Sequence, residues 1–269
     1  MRKMDIKEVQ GELLELMKKL HAFLSENGLS YYLIAGSTLG AVRHGGFIPW
    51  DDDIDIGMMR EDYEAFLQLA HRFDPQYDIV NFQNGKHCDF VLCRIYINNT
   101  MIDNPQFANT KLDQRLYLDV FPLDNVPEDE AESAKFERKI RKKRKLLAYC
   151  DAKNYNNGKA ALMAKKALAC CLSPMRSSIL KSVDRLMKKY RDCETPYVCS
   201  LCSQYSFKKQ KMPKAYYGTP VLHLFDGCEF YVPAQTDAYL THLYGGDYME
   251  MPPESKRRKG HDIYKTNEA

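Results

Sequence analysis

Apolar positions near the N-terminus recur three and four residues apart: Ile6, Val9, Leu13, Leu16, Leu20 and Leu24, with Phe23 alongside. That spacing predicts a helix over residues 5–27 with one buried face, stopped at Gly28. A short apolar run, Tyr31-Tyr32-Leu33-Ile34, then predicts a buried strand over 30–35. Gly36-Ser37 ends it, and Ser37 or Thr38 is available to cap a short helix reaching Arg43. Turns at Gly45-Gly46 and Ile48-Pro49 follow, and the period drops to two. Ile54 and Ile56 alternate with Asp53 and Asp55, as in a strand. A helix is predicted over 60–73, with Tyr63, Phe66, Leu67 and Ala70 on one side. Residues 77–82 and 90–97 read as a hairpin about Asn84-Gly85. Arg94 falls in its second strand, either lining a site or facing water. A further strand is predicted over 116–121, ending at Pro122, with Asp119 between Leu118 and Val120.

Helices are predicted over 128–149, 159–171 and 176–190, the last two split by Ser173-Pro174. Residues 196–217 read as irregular. Asp226-Gly227 marks a hairpin within 221–232, and a short helix over 236–244 stops at Gly245. The tail from Pro252 to His261 is basic, and the terminal residues are expected to be disordered. The mixture predicts an α+β fold, a mixed sheet flanked by helices. Three parts are expected: a core over 1–127, a basic helical part over 128–195, and a segment over 196–269 packing back on the core.

The candidate chemistry centres on residues 36–58. Side chains two apart on a strand share a face, about 6.5–7 Å apart, so Asp53 and Asp55 point the same way. Two carboxylates that close repel, and one takes up a proton unless a cation lies between them. Their apolar flanks, with Phe47, Ile48 and Trp50 before and Ile54, Ile56 and Met58 after, favour a buried site over a solvated acidic turn. Asp119, alone in an apolar strand, needs either the same cation or a structural salt bridge. Asp124, in the turn that follows, reads as a loop cap. Hard oxygen ligands in a partly open site suit Mg²⁺ shared with substrate phosphates, with Mn²⁺ as the alternative ion. The Gly36-Ser37 turn gathers backbone N–H groups at a helix start, an arrangement suited to phosphate. Arg43 either pairs with Asp51 or Asp52 or clamps a phosphate.

Composition narrows the class. With 269 residues, 45% of them hydrophobic, the chain can bury a core. It has no apolar run of about 18 residues, so no transmembrane helix is expected. Its N-terminus shows no apolar signal core, and a cytoplasmic location is the expectation. Nine cysteines then read as reduced thiols. Cys199 and Cys202, flanked by Cys193 and His223, raise a zinc site against the plainer reading of buried thiols. The net charge of +3 hides an asymmetry. Residues 135–189 hold 17 basic and 3 acidic side chains, +14, leaving −11 on the remainder. Such a segment expects an anionic partner. Without interleaved aromatics a nucleic-acid platform is not favoured; the segment reads as a helical part with a solvated basic face, or as a face that docks on an anionic membrane or acceptor.

Gly36-Ser37, Asp53-x-Asp55 and a later lone Asp119 are similar to the nucleotidyltransferase pattern, with a longer gap between serine and aspartates. The whole run from Gly36 to Asp55 closely resembles the LicD family, phosphocholine transferases related to fukutin and fukutin-related protein. Leu118-Asp-Val-Phe-Pro-Leu-Asp124 resembles that family's second block. Tyr239-Leu240 through Tyr244-Gly-Gly-Asp-Tyr-Met249, then Pro252-Pro253-Glu254 and Lys256-Arg257, resembles its C-terminal block, with Gly246 as an extra residue.

The resemblance implies a nucleotidyltransferase-like catalytic core and Mg²⁺-dependent transfer of a phospho-substituent, phosphocholine first, from a CDP-linked donor. The acceptor implied is a sugar hydroxyl of a surface glycan or its lipid-linked precursor. Asp53, Asp55 and Asp119 are the implied catalytic residues and metal ligands. Gly36, Ser37, Arg43 and Asp51 are expected to bind substrate, and Trp50 to stack on a base or choline. Contact with the inner face of an anionic membrane is expected through 135–189. The rival readings are nucleotide transfer to RNA or a small molecule, and a membrane-docking adaptor without activity.

Overall fold

The N-terminal apolar stripe folds as helix α1 (Ile6–Glu26) in the computed structural model, which describes residues 1–84, 91–104, 113–150, 159–257 and 260–266. Asp5 and Glu8 form a reciprocal capping box at its start, and Gly28, at φ 67°, follows its end. Val9, Leu13, Leu16, Met17, Leu20 and Leu24 are buried against one face of the central sheet. Before α1 runs strand β1 (Arg2–Lys3).

The expected strand over 30–35 is shorter, β2 (Tyr32–Leu33), because helix α2 (Ala35–His44) begins at Ala35. No side chain caps α2. Ser37 and Thr38 are turned to other partners: Thr38 Oγ1 donates to Leu33 O (2.6 Å), and Ser37 Oγ accepts the N–H of Asp55 (2.9 Å). Strand β3 (Asp55–Met59) leads into α3 (Arg60–Leu69). The predicted hairpin forms as β4 (Tyr77–Val80) and β5 (Cys93–Ile97), paired antiparallel. Its expected turn at Gly85 and the start of its second strand at Phe90 lie outside the described residues.

Strand β6 (Thr100–Asp103) precedes β7 (Tyr117–Asn125), which runs through Pro122 instead of ending there. The Pro122 nitrogen faces the edge where β5 pairing stops at Val120 and the next strand's begins at Asp124, so no ladder donor is missed. The central sheet has the order β2-β3-β7-β5-β4, with β3 and β7 parallel and the other pairs antiparallel.

Helices α4 (Glu130–Cys150), α5 (Lys159–Leu172) and α6 (Arg176–Met187) follow. Phe136, Ile140, Leu180 and Val183 join Val126 and Cys199 in an apolar cluster between α4, α6 and the edge of the sheet. Lys153 lies outside the described residues. Asp124 does not cap a loop. It sits in β7, fully buried, with both oxygens on the buried Arg60 guanidinium (2.6 and 2.7 Å). Asp184 of α6 lies 3.7 Å from that guanidinium, and Lys188 bonds both Asp184 and Glu64, tying the helices to α3.

Residues 196–217 are not irregular. Strands β8 (Tyr197–Cys199) and β9 (Lys211–Pro213) extend the sheet beyond β7, with the short helices α7 (Phe207–Gln210) and α8 (Lys214–Tyr217) beside them. Strands this short carry little periodicity of their own and exist because β7 offers an edge. Strands β10 (Val221–Phe225) and β11 (Cys228–Val232) form the expected hairpin, with Asp226 and Gly227 both at positive φ. Helix α9 (Thr236–Tyr244) stops before Gly245. Within the tail Asp262–Lys265 forms β12, the middle strand of a sheet β1-β12-β6, with Ile263 buried, and the terminal residues 267–269 lie outside the described residues.

Candidate active site

The register of the central sheet brings three charged side chains into one row. Asp55 of β3 pairs with Asp119 of β7, and Asp119 with Arg94 of β5. Paired positions on adjacent strands, about 4.8 Å apart, share a face. Asp119 Oδ1 accepts from Arg94 Nε (2.8 Å), and the guanidinium stacks 4.0 Å from the Tyr117 ring. Arg94, which the sequence left open between site and solvent, thus faces the carboxylates. On the other face Ile54, Ile56, Leu118 and Val120 join the α1 core. Alternation therefore puts the carboxylates away from that core, where the sheet opens to a cleft.

The cleft holds about 520 Å³, with Asp51, Asp53 and Asp55 in its wall. Burial pushes the Asp55 carboxyl well above the usual range, and Asp53, Asp119 and Asp51 push it further; Arg94 offsets part of this. Among the described residues, the carboxylate group whose oxygens close to within 4.8 Å of one another is Asp51, Asp52 and Asp53, not the expected Asp53, Asp55 and Asp119. Asp55 and Asp119 adjoin that group from the sheet. Hard oxygen donors crowded until one resists ionisation fit a divalent cation.

Asp52 is held from the tail. The N–H of His261 donates to Asp52 Oδ2 (2.6 Å), and its Nδ1 lies 3.0 Å away. Burial would raise the Asp52 carboxyl, but these contacts outweigh it and hold the group below its ordinary value. Gln10 of α1 braces the same loop, donating to the carbonyls of Ile48 (3.2 Å) and Asp51 (3.0 Å). The hairpin braces its other end: Phe47 N–H donates to Asp226 Oδ2 (2.9 Å), and a Cβ on Gly46 would meet that carboxylate at 2.4 Å.

Gly36 lines the cleft, and a Cβ there would meet Asp51 Oδ2 at 3.1 Å. Ser37 is buried; its amide donates to Ile34 O (3.1 Å) and its hydroxyl serves Asp55, so it ties α2 to β3. The turn from β2 into α2 is strained: Ala35 has φ 48°, with its N–H on Tyr239 Oη (2.9 Å). Arg43 lines the cleft but does not pair with Asp51 or Asp52. Its Nη1 donates to the carbonyls of Tyr248 (3.0 Å) and Glu250 (3.1 Å), holding the C-terminal loop over the site. Trp50 also lines the cleft, and Arg257 stacks 4.7 Å from its ring.

Sequence reasoning missed Tyr205, in the cleft wall with its hydroxyl 3.2 Å from that of Tyr244, because it lies in a stretch without period. It missed His261 and Gln10 because their partners are about 209 and 41 residues away. Cys199 and Cys202 are thiols pushed up by burial, while Cys193 is exposed. No zinc group forms with His223 among the described residues, since His223 sits on the separate hairpin β10–β11.

The chain is similar to several known proteins. The family described as LicD/FKTN/FKRP, nucleotidyltransferase domain, matches residues 28–146. The lipopolysaccharide cholinephosphotransferase LicD of Haemophilus influenzae is 28% identical over 269 residues, covering 97% of each chain. The human ribitol 5-phosphate transferase FKRP is 46% identical over 57 residues, 21% of this chain and 12% of that one. An uncharacterized protein of Rickettsia typhi is 41% identical over 81 residues, 30% of this chain and 25% of that one. The match to the LicD family therefore falls on residues 28–146, which carry α2, β3, β7 and the aspartates Asp51, Asp53, Asp55 and Asp119.

Proposed function

We propose that this chain transfers a phospho-substituent, phosphocholine, from a CDP-linked donor to a sugar hydroxyl of a surface glycan or its lipid-linked precursor, releasing CMP. The observation that carries the proposal is the row Asp55–Asp119–Arg94 beside the carboxylate wall of the cleft. The likeness to the Haemophilus cholinephosphotransferase along nearly the whole chain supports the choice of substituent.

Phosphoryl transfer asks a protein to position groups and neutralise charge. Asp53, Asp55 and Asp119 are the proposed ligands of Mg²⁺ or Mn²⁺, with Asp51 as an additional one. A divalent ion, when bound, supplies charge neutralisation at the diphosphate and the leaving CMP. Arg94 fixes the orientation of Asp119 through its Nε, and Asp119 is the proposed ligand of the ion or acceptor of the sugar hydroxyl proton. Gly36 leaves room for Asp51, and Lys256 brings a positive charge to the cleft wall for donor phosphate. Arg43 acts at one remove, by holding the loop that covers the donor. Arg138, Lys139 and Lys142 are exposed on α4, a face suited to the anionic inner surface of a membrane. No helix among the described residues is long and apolar enough to cross one.

The test is CMP release from CDP-choline, CDP-ribitol and CDP-ethanolamine, with ATP alongside, each with Mg²⁺ and with chelator. CDP-choline with Mg²⁺ is expected to turn over, and chelation to stop it. Turnover that survives chelation refutes the metal-dependent mechanism, and preference for ATP favours nucleotide transfer. Inertness toward every donor favours the adaptor.

A further inference from the structure

A second cavity, about 380 Å³, lies between α4 and residues 199–207. It adjoins the cleft, because Tyr205 lines both. Its charge is opposite. Arg141, Arg144 and Lys145 face a single acid, Glu137. The cleft instead gathers Asp51, Asp53, Asp55, Asp247 and Glu250 around Arg43 and Lys256. Arg144 holds the dividing wall, donating to the carbonyls of Leu201 (2.9 Å), Cys202 (3.1 Å) and Ser203 (3.1 Å). Arg141 and Lys145 are exposed, and neither has a carboxylate partner among the described residues.

The interior of this cavity also asks for a ligand. Ser200 lines it and is only 3% exposed, yet its hydroxyl has no partner among the described residues. A buried hydroxyl left unbonded keeps the full cost of its desolvation. Ile140, Leu201 and Phe207 supply apolar surface of the kind a sugar ring packs on. Free anions are repelled by the cleft carboxylates and attracted next door.

Resting on the transferase reading, we propose that this cavity is the acceptor subsite and takes a phosphate-bearing sugar. Arg141 and Lys145 bind the phosphate, Ser200 bonds the sugar, and the acceptor hydroxyl reaches the cleft past Tyr205.

The test uses N-acetylglucosamine 1-phosphate as probe, titrated calorimetrically into the full chain with the cleft filled by CMP. Saturable binding is expected. The double variant Arg141→Ala/Lys145→Ala should bind about tenfold more weakly, as loss of charge-assisted bonds implies, with its melting temperature unaltered. Unphosphorylated N-acetylglucosamine should bind more weakly than the probe. No binding to the wild type, competition with CMP, equal affinity in the variant, or indifference to the phosphate each overturns the subsite. Binding of the probe by a chain that releases CMP from no donor refutes the transferase reading and leaves the anion site standing. CMP release without probe binding refutes the subsite alone.

Discussion

Asp55 shows at the scale of one residue how crowded, buried carboxylates strain a fold. Its anion is disfavoured by burial and by three neighbouring carboxylates, with Arg94 as partial relief. A carboxyl whose pKa is raised on folding contributes stability below its unfolded pKa, about 4, and loses it as pH rises through the folded value. As pH climbs from about 4, the chelator-treated wild type should therefore lose melting temperature relative to Asp55→Asn, which should melt no lower than wild type near neutrality. The same variant should lose more than about a hundredfold in CMP release. A variant that melts early and keeps its activity would mean that Asp55 is structural. Gly40 makes a different case. A Cβ there would meet the Gly46 carbonyl at 2.5 Å, where α2 crosses the loop into the aspartates. Gly40→Ala should cost about 1–3 kcal/mol by overpacking, read as a lower urea midpoint.

At the scale of elements, Arg60 and Asp124 join the start of α3 to β7 beneath the site. Asp124 is raised by burial first, with Arg60 offsetting. The pair is bidentate and nearly inaccessible. Removing one member leaves a buried charge, so Asp124→Ala should cost about 3–5 kcal/mol in urea unfolding. Replacing both, as Arg60→Leu/Asp124→Leu, should recover much of that loss. A double-variant loss equal to the sum of the Arg60→Leu and Asp124→Leu losses would show that the pair contributes nothing beyond its separate residues. The sequence placed Arg60 at a helix start and Asp124 in a turn, because neither motif reveals a partner 64 residues away.

At the scale of the molecule, the tail closes the fold on the site. β12 links β1 to β6, and the residue before it, His261, grips Asp52. Ile263→Ala should cost about 2–5 kcal/mol, as large-to-small changes in a core do. It should also weaken CMP release, since the His261 grip depends on β12. Normal turnover in a clearly destabilised Ile263→Ala chain would separate the tail from the chemistry.

The local pattern determined a good deal by itself. The α1 stripe, the β10–β11 hairpin, the alternation around Asp55 and the lone Asp119 in an apolar strand were all legible, because period and turn chemistry act over a few residues. What the tertiary structure decided were the pairings. Sheet register set Asp55 beside Asp119 and Arg94 beside Asp119. Long-range packing turned Ser37 toward β3, gave Arg43 to the carbonyls of a distant loop, and made a strand of the tail. Hydrogen bonds across such separations leave no local trace, since neither partner's neighbours encode the other's place. The sequence names the charged groups of the site; only the folded chain says which of them compensate one another.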